Sequence, residues 1–391
     1  MVAMRLTELG KRVLANVDAD RGDCTDSMLR VPAVQYLDPE LFAREVDVVF
    51  RQNPIMVALA CDIPDAGDFT TIEIAERPIV VMRGEDGVAR TFLNACRHRG
   101  ASVANQEFGH ARRLACPYHS WTYDTRGKLV GIPGKEAFGE LEVDGLVEYP
   151  TAERAGAVFA VLTVGATLDI DEWLGDMQSA LEMLQLDKLW RYDVETKLPS
   201  GNWKATADGY LDGYHLGYLH RNSIGAKSIT NRNTYDLFGP HVRIGFANKP
   251  ILEQRHVPVE EWDMYGAFSL VHYLFPNISI SGHPTTGLMV SRIFPGPTVG
   301  ECTVIQYQYF RAPLGDEPAI AEAEAKRQKY ADVTYDEDFV TVMGIGRRTP
   351  ALVSNDDVFR FGRNEMGNQD LHAWLARLLE RLVSDTTRAP H

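Results

Sequence analysis

The sequence predicts an α+β chain, with a small all-β domain set inside a larger part built of helices and antiparallel strands. Two observations carry this. Residues 53–165 hold short β-rich runs at 72–74, 78–82, 91–94 and 157–164, punctuated by Gly and Pro turns. On either side the spacing of apolar residues turns helical: Leu41, Phe42, Val46, Val49 and Phe50 near the start, and Leu371, Trp374, Leu375, Leu378, Leu379 and Leu382 near the end.

The elements follow in order. Residues 1–52 read as helical, with a loop at 32–39. Residues 171–189 and 203–218 read as helices, the first with Trp173, Met177, Ala180, Leu181 and Leu184 on one stripe. Runs at 234–247, 269–281, 287–294 and 302–311 read as strands of an antiparallel sheet. Residues 319–342 are rich in Ala, Glu and Lys and read as a helix.

Composition sets the broad class. The chain has 391 residues with 54 acidic and 40 basic side chains, a formal charge of −14. No uniform basic footprint for nucleic acid or an anionic membrane is expected. Five cysteines exclude a disulfide scaffold, and the odd number argues against a fully paired secreted protein. The opening segment MVAMRLTELGKR has no apolar run long enough for a signal peptide. The longest apolar run, 155–166, falls short of the ~20 residues of a membrane span. A cytoplasmic protein is the expectation. Cys24, Cys61 and Cys302 are expected to be ordinary buried thiols.

Two clusters of side chains carry chemistry. Cys96-Arg97-His98 is followed, after 17 residues, by Cys116-Pro117-Tyr118-His119. Each pair offers one thiolate and one imidazole. Two thiolates suit one iron of a [2Fe–2S] cluster and two imidazoles the other, which raises the potential to about −150 mV or above. Zinc can also take two Cys and two His. Its fingers usually pair the cysteines first, unlike the alternating order here.

The second cluster is Asp208, Asp212, His215 and His220. The first three share one face of a helix. His220 lies five residues beyond His215, or roughly 140° away on a regular helix. Both imidazoles can face one metal only if the helix is stretched, bulged or broken near Gly217. Two imidazoles plus a carboxylate form the facial set of non-haem Fe(II) oxygenases. The carboxylate must come from elsewhere, and the segment 354–358 offers Asp356 and Asp357.

NACRHRGA together with CPYHSWTYDTRGKLVG resembles the Rieske domain of the large (α) subunit of aromatic ring-hydroxylating dioxygenases. Ser120 departs mildly, since many members carry Gly there. The resemblance implies a Rieske [2Fe–2S] domain at 53–165 and a catalytic domain from 1–52 and 166–391. The catalytic part would have a curved antiparallel sheet flanked by helices, of the helix-grip or START-like kind. It implies one [2Fe–2S] cluster per subunit, with Cys96 and Cys116 on one iron and His98 and His119 on the other. It also implies one mononuclear non-haem Fe(II) per subunit, on His215, His220 and an acidic residue. Members carry an acidic pair or Glu-Asp whose second residue ligates. Placed at 356–357, that rule makes Asp357 the ligand and Asp356 the fallback.

Asp212 is implied to be a catalytic bridge rather than a ligand, hydrogen-bonding a cluster histidine (His119) of the neighbouring subunit and its own His215. Asp208, Gly209 and Leu216 match pocket-lining positions, and His272 and Asn277 sit on a strand expected to line the cavity. Arg221, Arg232 and Arg243 are weaker candidates for clamping an acidic substrate.

The implied protein is the terminal oxygenase component of a multicomponent system. It uses O2 and NADH-derived electrons, from a flavin reductase with or without a ferredoxin, to hydroxylate a small aromatic compound. It would assemble as a homotrimer or with a β subunit as α3β3. A monooxygenase or demethylase acting on O-methyl, N-methyl or similar organic compounds shares the metal sites, and sequence hardly separates the two. A pure electron-transfer Rieske protein and a zinc-binding module are the readings from other classes.

Overall fold

The computed structural model describes residues 2–192, 195–262, 266–283, 287–352, 354 and 357–386. The chain divides into two compact units, Val46–Leu189 and the combination of Met1–Glu45 with Trp190–His391.

In the first unit, a five-stranded antiparallel sheet runs in the spatial order Glu148–Tyr149, Ala89–Leu93, Arg77–Arg83, Asp68–Ile74, Phe108–His110. A three-stranded sheet joins Thr151–Arg154, Ala157–Ala160 and Ile55–Leu59. A second joins Arg113–Ala115, Thr122–Asp124 and Leu129–Gly131. Alternation in these strands buries Phe69, Val80, Met82, Phe92, Leu114 and Tyr123 in one core, together with Cys96 and Cys116.

This unit is wider than the 53–165 read from the sequence. The expected helix at 171–189 is broken at Gly175 into Ile170–Leu174, Met177–Glu182 and a 3-10 turn Leu186–Lys188. Arg154 ties the first piece to the sheet through Asp171, with Nε to Oδ1 at 2.6 Å.

The second unit is built on an eight-stranded antiparallel sheet. Its long strands are His241–Ala247, Phe268–Leu274, Ile278–His283, Gly287–Pro295 and Cys302–Phe310, each paired with the next in sequence. Helices Val2–Asp18, Trp203–Leu211, Glu317–Val333, Val340–Arg348 and Met366–Thr386 belong to the same unit. A two-stranded ribbon pairs Leu29–Pro32 with Val358–Phe361.

The helix read at 203–218 stops at Leu211. That at 319–342 is interrupted by a π-helical turn, Thr334–Phe339. Among the described residues no helix is long and apolar enough to cross a membrane. No disulfide joins the five cysteines; Cys302 is buried, Cys61 part-buried and Cys24 exposed, so only one of the three remaining thiols matches the buried state expected. Burial raises the Cys302 thiol pKa to about 11, which keeps it protonated and inert.

Candidate active site

Two matched loops present the Cys-His pairs. Gly100 N donates to Cys96 O at 2.8 Å and Ser120 N to Cys116 O at 2.9 Å. Cys96 N and Cys116 N then donate to Ala101 O and Trp121 O, each at 2.8 Å. Closing such a turn requires a left-handed residue, supplied by Gly100 at φ 78° and by Ser120 at φ 56°. Serine pays about 1 kcal/mol for that conformation, which explains why glycine suits the position better.

The loops bury both cysteine sulfurs and bring His98 Nδ1 within 3.2 Å of His119 Nδ1. Trp121 stacks on His98 with ring centroids 5.0 Å apart and holds it in place. Desolvation, then the His119 and Arg99 charges, lower the His98 pKa and favour the neutral ring a metal requires. Two buried sulfurs and two converging Nδ1 atoms fit a [2Fe–2S] cluster.

Tyr123 completes the pocket. Its hydroxyl accepts from Arg97 N at 2.9 Å and lies 3.3 Å from Cys96 Sγ, within reach to donate to that sulfur once it is a ligating thiolate. A hydrogen bond to a ligating sulfur favours the reduced, more negative state. Tyr123→Phe is therefore expected to lower the cluster potential by roughly 50 mV, about 1 kcal/mol for one electron. Protein-film voltammetry checks this; an unchanged potential would mean the proton points elsewhere.

The second site begins at the helix Trp203–Leu211. Asn202 caps it, its side chain accepting from Lys204 N at 2.9 Å. At Asp212 the backbone turns extended, with ψ at 108°. The Asp212 carboxylate then accepts from Tyr214 N at 2.6 Å and His215 N at 3.3 Å, starting the short 3-10 turn His215–Gly217. The α-helix thus stops at Asp212, before His215, and the 3-10 turn that follows ends at Gly217, so the winding between the two imidazoles is irregular as their spacing demands. Release from helical spacing lets His215 and His220 converge, with Nε2 atoms 3.1 Å apart. Gly225 makes this possible from below: a Cβ there would lie 2.1 Å from Leu216 O.

The carboxylate that meets the two imidazoles is Asp338, not Asp357. Asp338 Oδ1 lies 3.0 Å from His220 Nε2 and 3.5 Å from His215 Nε2. Ligand bonds of about 2.1 Å at right angles place donor atoms about 3.0 Å apart. The three atoms therefore fit one face of an octahedral ion, leaving the other positions open. Among the described residues this trio is the compact group able to hold a single metal ion.

Asp357 is spent elsewhere. Its Oδ2 accepts from Ser354 N at 2.9 Å, and its carbonyl accepts from Ala33 N, closing the turn into the two-stranded ribbon. Asp356 lies outside the described residues.

The remaining imidazole nitrogens are held by two more carboxylates. Asp212 Oδ2 is 3.1 Å from His215 Nδ1, and Glu337 Oε2 is 2.5 Å from His220 Nδ1. Each fixes the tautomer that leaves Nε2 free for metal. Ser223 steadies Glu337 with a 2.8 Å hydrogen bond. Burial disfavours the charged form of His220, but Asp338 and Glu337 outweigh it and its pKa is raised. Sequence reasoning missed both Glu337 and Asp338. The signal was present: Glu337-Asp338 is itself a Glu-Asp pair whose second residue faces the imidazoles.

A cavity of about 600 Å³ opens on the trio. Gly209, Leu216 and Asp212 line it, with Phe246, Met289 and Tyr330 among the apolar walls. Three expected lining residues do not. Asp208 is buried away from the cavity, accepting from Tyr36 Oη at 2.7 Å and Asn368 Nδ2 at 3.3 Å and lying 3.0 Å from His372 Nε2. His272 is enclosed in the sheet, and Asn277 is buried in the turn between the strands Phe268–Leu274 and Ile278–His283 rather than on a strand; burial drops the His272 pKa to about 3, so the ring stays neutral. The cavity takes Leu270, Val271, Ser281 and Gly282 from those strands instead.

Comparison with known proteins gives the family. Residues 182–381 match the family model described as "Ring hydroxylating alpha subunit (catalytic domain)", and residues 53–150 match the "Rieske [2Fe-2S] domain". The chain is 36% identical over 186 residues to the 2-aminobenzenesulfonate 2,3-dioxygenase α subunit of Alcaligenes sp., covering 46% of this chain and 47% of that one. It is 29% identical to the carnitine monooxygenase oxygenase subunit of Escherichia coli (strain K12), covering 81% and 83%. The alignments to the first relatives span about half of their length. A solved quaternary ammonium Rieske monooxygenase, described with carnitine oxidation and inter-subunit electron transfer, shares the fold at TM-score 0.75 and 20% identity, covering 91% and 96%.

Proposed function

The chain belongs to the Rieske ring-hydroxylating oxygenase α subunits, and from that premise we propose that it is the terminal oxygenase component of a multicomponent system that hydroxylates a small organic molecule with O2. The observation that carries this is the trio His215, His220 and Asp338 facing a cavity of about 600 Å³, in a chain that also holds the two Cys-His loops. When bound, the cluster supplies one-electron transfer and the ferrous ion supplies O2 activation.

The protein's own residues do the rest. Cys96, Cys116, His98 and His119 hold the cluster. Asp212 and Glu337 orient the iron-binding imidazoles, and Gly209 and Leu216 leave room for substrate. Electrons would come from NADH through a separate reductase, with or without a ferredoxin.

An aromatic substrate and dioxygenation form one version, in line with the Alcaligenes relative. The long match to a carnitine monooxygenase favours a second, oxidative attack on an N-methyl or similar group. Labelled O2 separates them: two atoms incorporated mean dioxygenation, one means monooxygenation or demethylation. A colourless protein, or one with two iron atoms per chain and no O2 uptake, overturns the oxygenase reading.

An oligomeric enzyme in which Asp212 links His119 of a neighbouring chain to His215 extends this reading, and the 3.1 Å contact of Asp212 with His215 is the half of that bridge within one chain. Asp212→Asn is expected to leave cluster reduction intact and slow single-turnover reoxidation at least tenfold. Unchanged reoxidation would leave Asp212 with only its local role at His215.

A further inference from the structure

The cavity's charge points to a substrate class. The chain is acid-rich overall, yet among the described lining residues the carboxylates are Asp212 and Asp338, both committed to imidazoles. Three lysines line the same cavity: Lys227, Lys326 and Lys329. Lys326, Lys329 and Tyr330 are spaced to share one face of the helix Glu317–Val333, and Lys227 comes from the separate 3-10 turn Ile224–Lys227.

Lys326 is already paired with Glu322 at 2.6 Å. Lys227 and Lys329 have no carboxylate partner among the described residues. Of the three candidate arginines, Arg221 is absent from the cavity lining, Arg232 pairs with Asp20, and Arg243 pairs with Asp236 at 2.8 Å. The latter two do not line the cavity either. A cationic ligand entering here would meet unpaired ammonium groups and no available carboxylate. An anionic one would meet two unpaired ammonium groups in a cavity that also presents apolar side chains and the metal trio.

Resting on the oxygenase reading above, we propose that the cavity takes an organic anion, its carboxylate or sulfonate anchored by Lys227 and Lys329 and its carbon skeleton directed at His215, His220 and Asp338. The anion can belong to an aromatic acid or to a zwitterion whose cationic end rests on the aromatic wall.

Titration calorimetry on the full-length, iron-loaded protein tests this with benzoate, benzenesulfonate, glycine betaine, benzamide and phenyltrimethylammonium. At least one of the three carboxylate or sulfonate probes should bind more tightly than both neutral benzamide and cationic phenyltrimethylammonium. That affinity should weaken with added salt and fall about fivefold in each of Lys227→Gln and Lys329→Gln. Benzamide binding should be unchanged in both variants, which separates lost charge from lost folding. Tight binding of benzoate or benzenesulfonate identifies an aromatic acid, and of glycine betaine alone a zwitterion.

Failure of all three carboxylate or sulfonate probes to bind more tightly than benzamide overturns the proposal. So does a preference for phenyltrimethylammonium, indifference of both lysine variants, or failure of every anion to bind. Iron content and O2 uptake of the same preparation test the oxygenase reading separately, because anion selectivity is read from binding alone.

Discussion

Replacing Asp338 by alanine is expected to strip the mononuclear iron, lowering the metal from about three iron atoms per chain to about two with labile sulfide unchanged. Substrate-dependent O2 uptake should fall roughly a hundredfold or more, beyond the 10–100-fold typical of an outer partner. Asp357→Ala is the matched control. Its carboxylate caps a turn at Ser354, so it should keep the iron and lose only about 1 kcal/mol of stability. Metal analysis of the two proteins side by side decides between the carboxylates. Iron lost from Asp357→Ala and kept by Asp338→Ala would return the ligand to the 354–357 segment.

The largest effect on stability is expected at Lys204. Its ammonium and the Glu45 carboxylate form an ion pair with both side chains 2% exposed. Trp203 Nε1 donates to Glu45 at 3.0 Å and Lys204 donates to Gln35 O at 2.7 Å, so each partner has a further hydrogen bond. Lys204→Met leaves Glu45 as a buried carboxylate without its cation. A loss of about 3–5 kcal/mol follows, or roughly five degrees in Tm for a chain of this size. The double variant Glu45→Leu, Lys204→Met should recover most of it.

The single variant's deficit should also depend on pH. Burial raises the Glu45 pKa even beside Lys204, and without Lys204 nothing of that strength opposes it. As pH climbs above the unfolded carboxyl's pKa of about 4.3, the unfolded state releases its proton first and the folded state loses ground. The deficit should thus be smaller near pH 4.5 than near pH 8. Denaturant melts at the two values check this. A deficit independent of pH would mean that lost packing, not stranded charge, is responsible.

Much of the chemistry was legible in sequence because it is local. Cys96-x-His98 and Cys116-x-x-His119 each close one tight loop, so their spacing already contains their geometry. His215 and His220 were legible as a pair, and so was the need to break the helix near them. The point of the break was not. Nothing in the pattern of 203–218 marks Asp212 as a first stop ahead of Gly217, because Asp212 ends the α-helix by using its side chain on the next turn's N–H groups.

Asp338 was missed for a tertiary reason. It arrives from a helix whose Ala, Glu and Lys content reads as a solvated face, and many acidic pairs in the chain satisfy the same short rule. His272 was misplaced because alternation says which residues share a face of a strand. It does not say which end of the strand meets the cavity.

The π turn at Thr334–Phe339 has a consequence for how the metal site tolerates change in length. A π turn holds one more residue than the α-helical winding it interrupts. Here that extra residue lets two consecutive carboxylates, Glu337 and Asp338, address opposite nitrogens of the single ring of His220. Deleting one residue from the turn would restore a regular helix from Glu317 to Arg348 and rotate everything beyond it by about 100°. The helix would gain in regularity while the ring lost one of its two carboxylates, so local order and metal binding are traded against each other at a single peptide unit. In this segment, shortening the chain is more damaging than most substitutions, and the irregularity is part of what the site is made of.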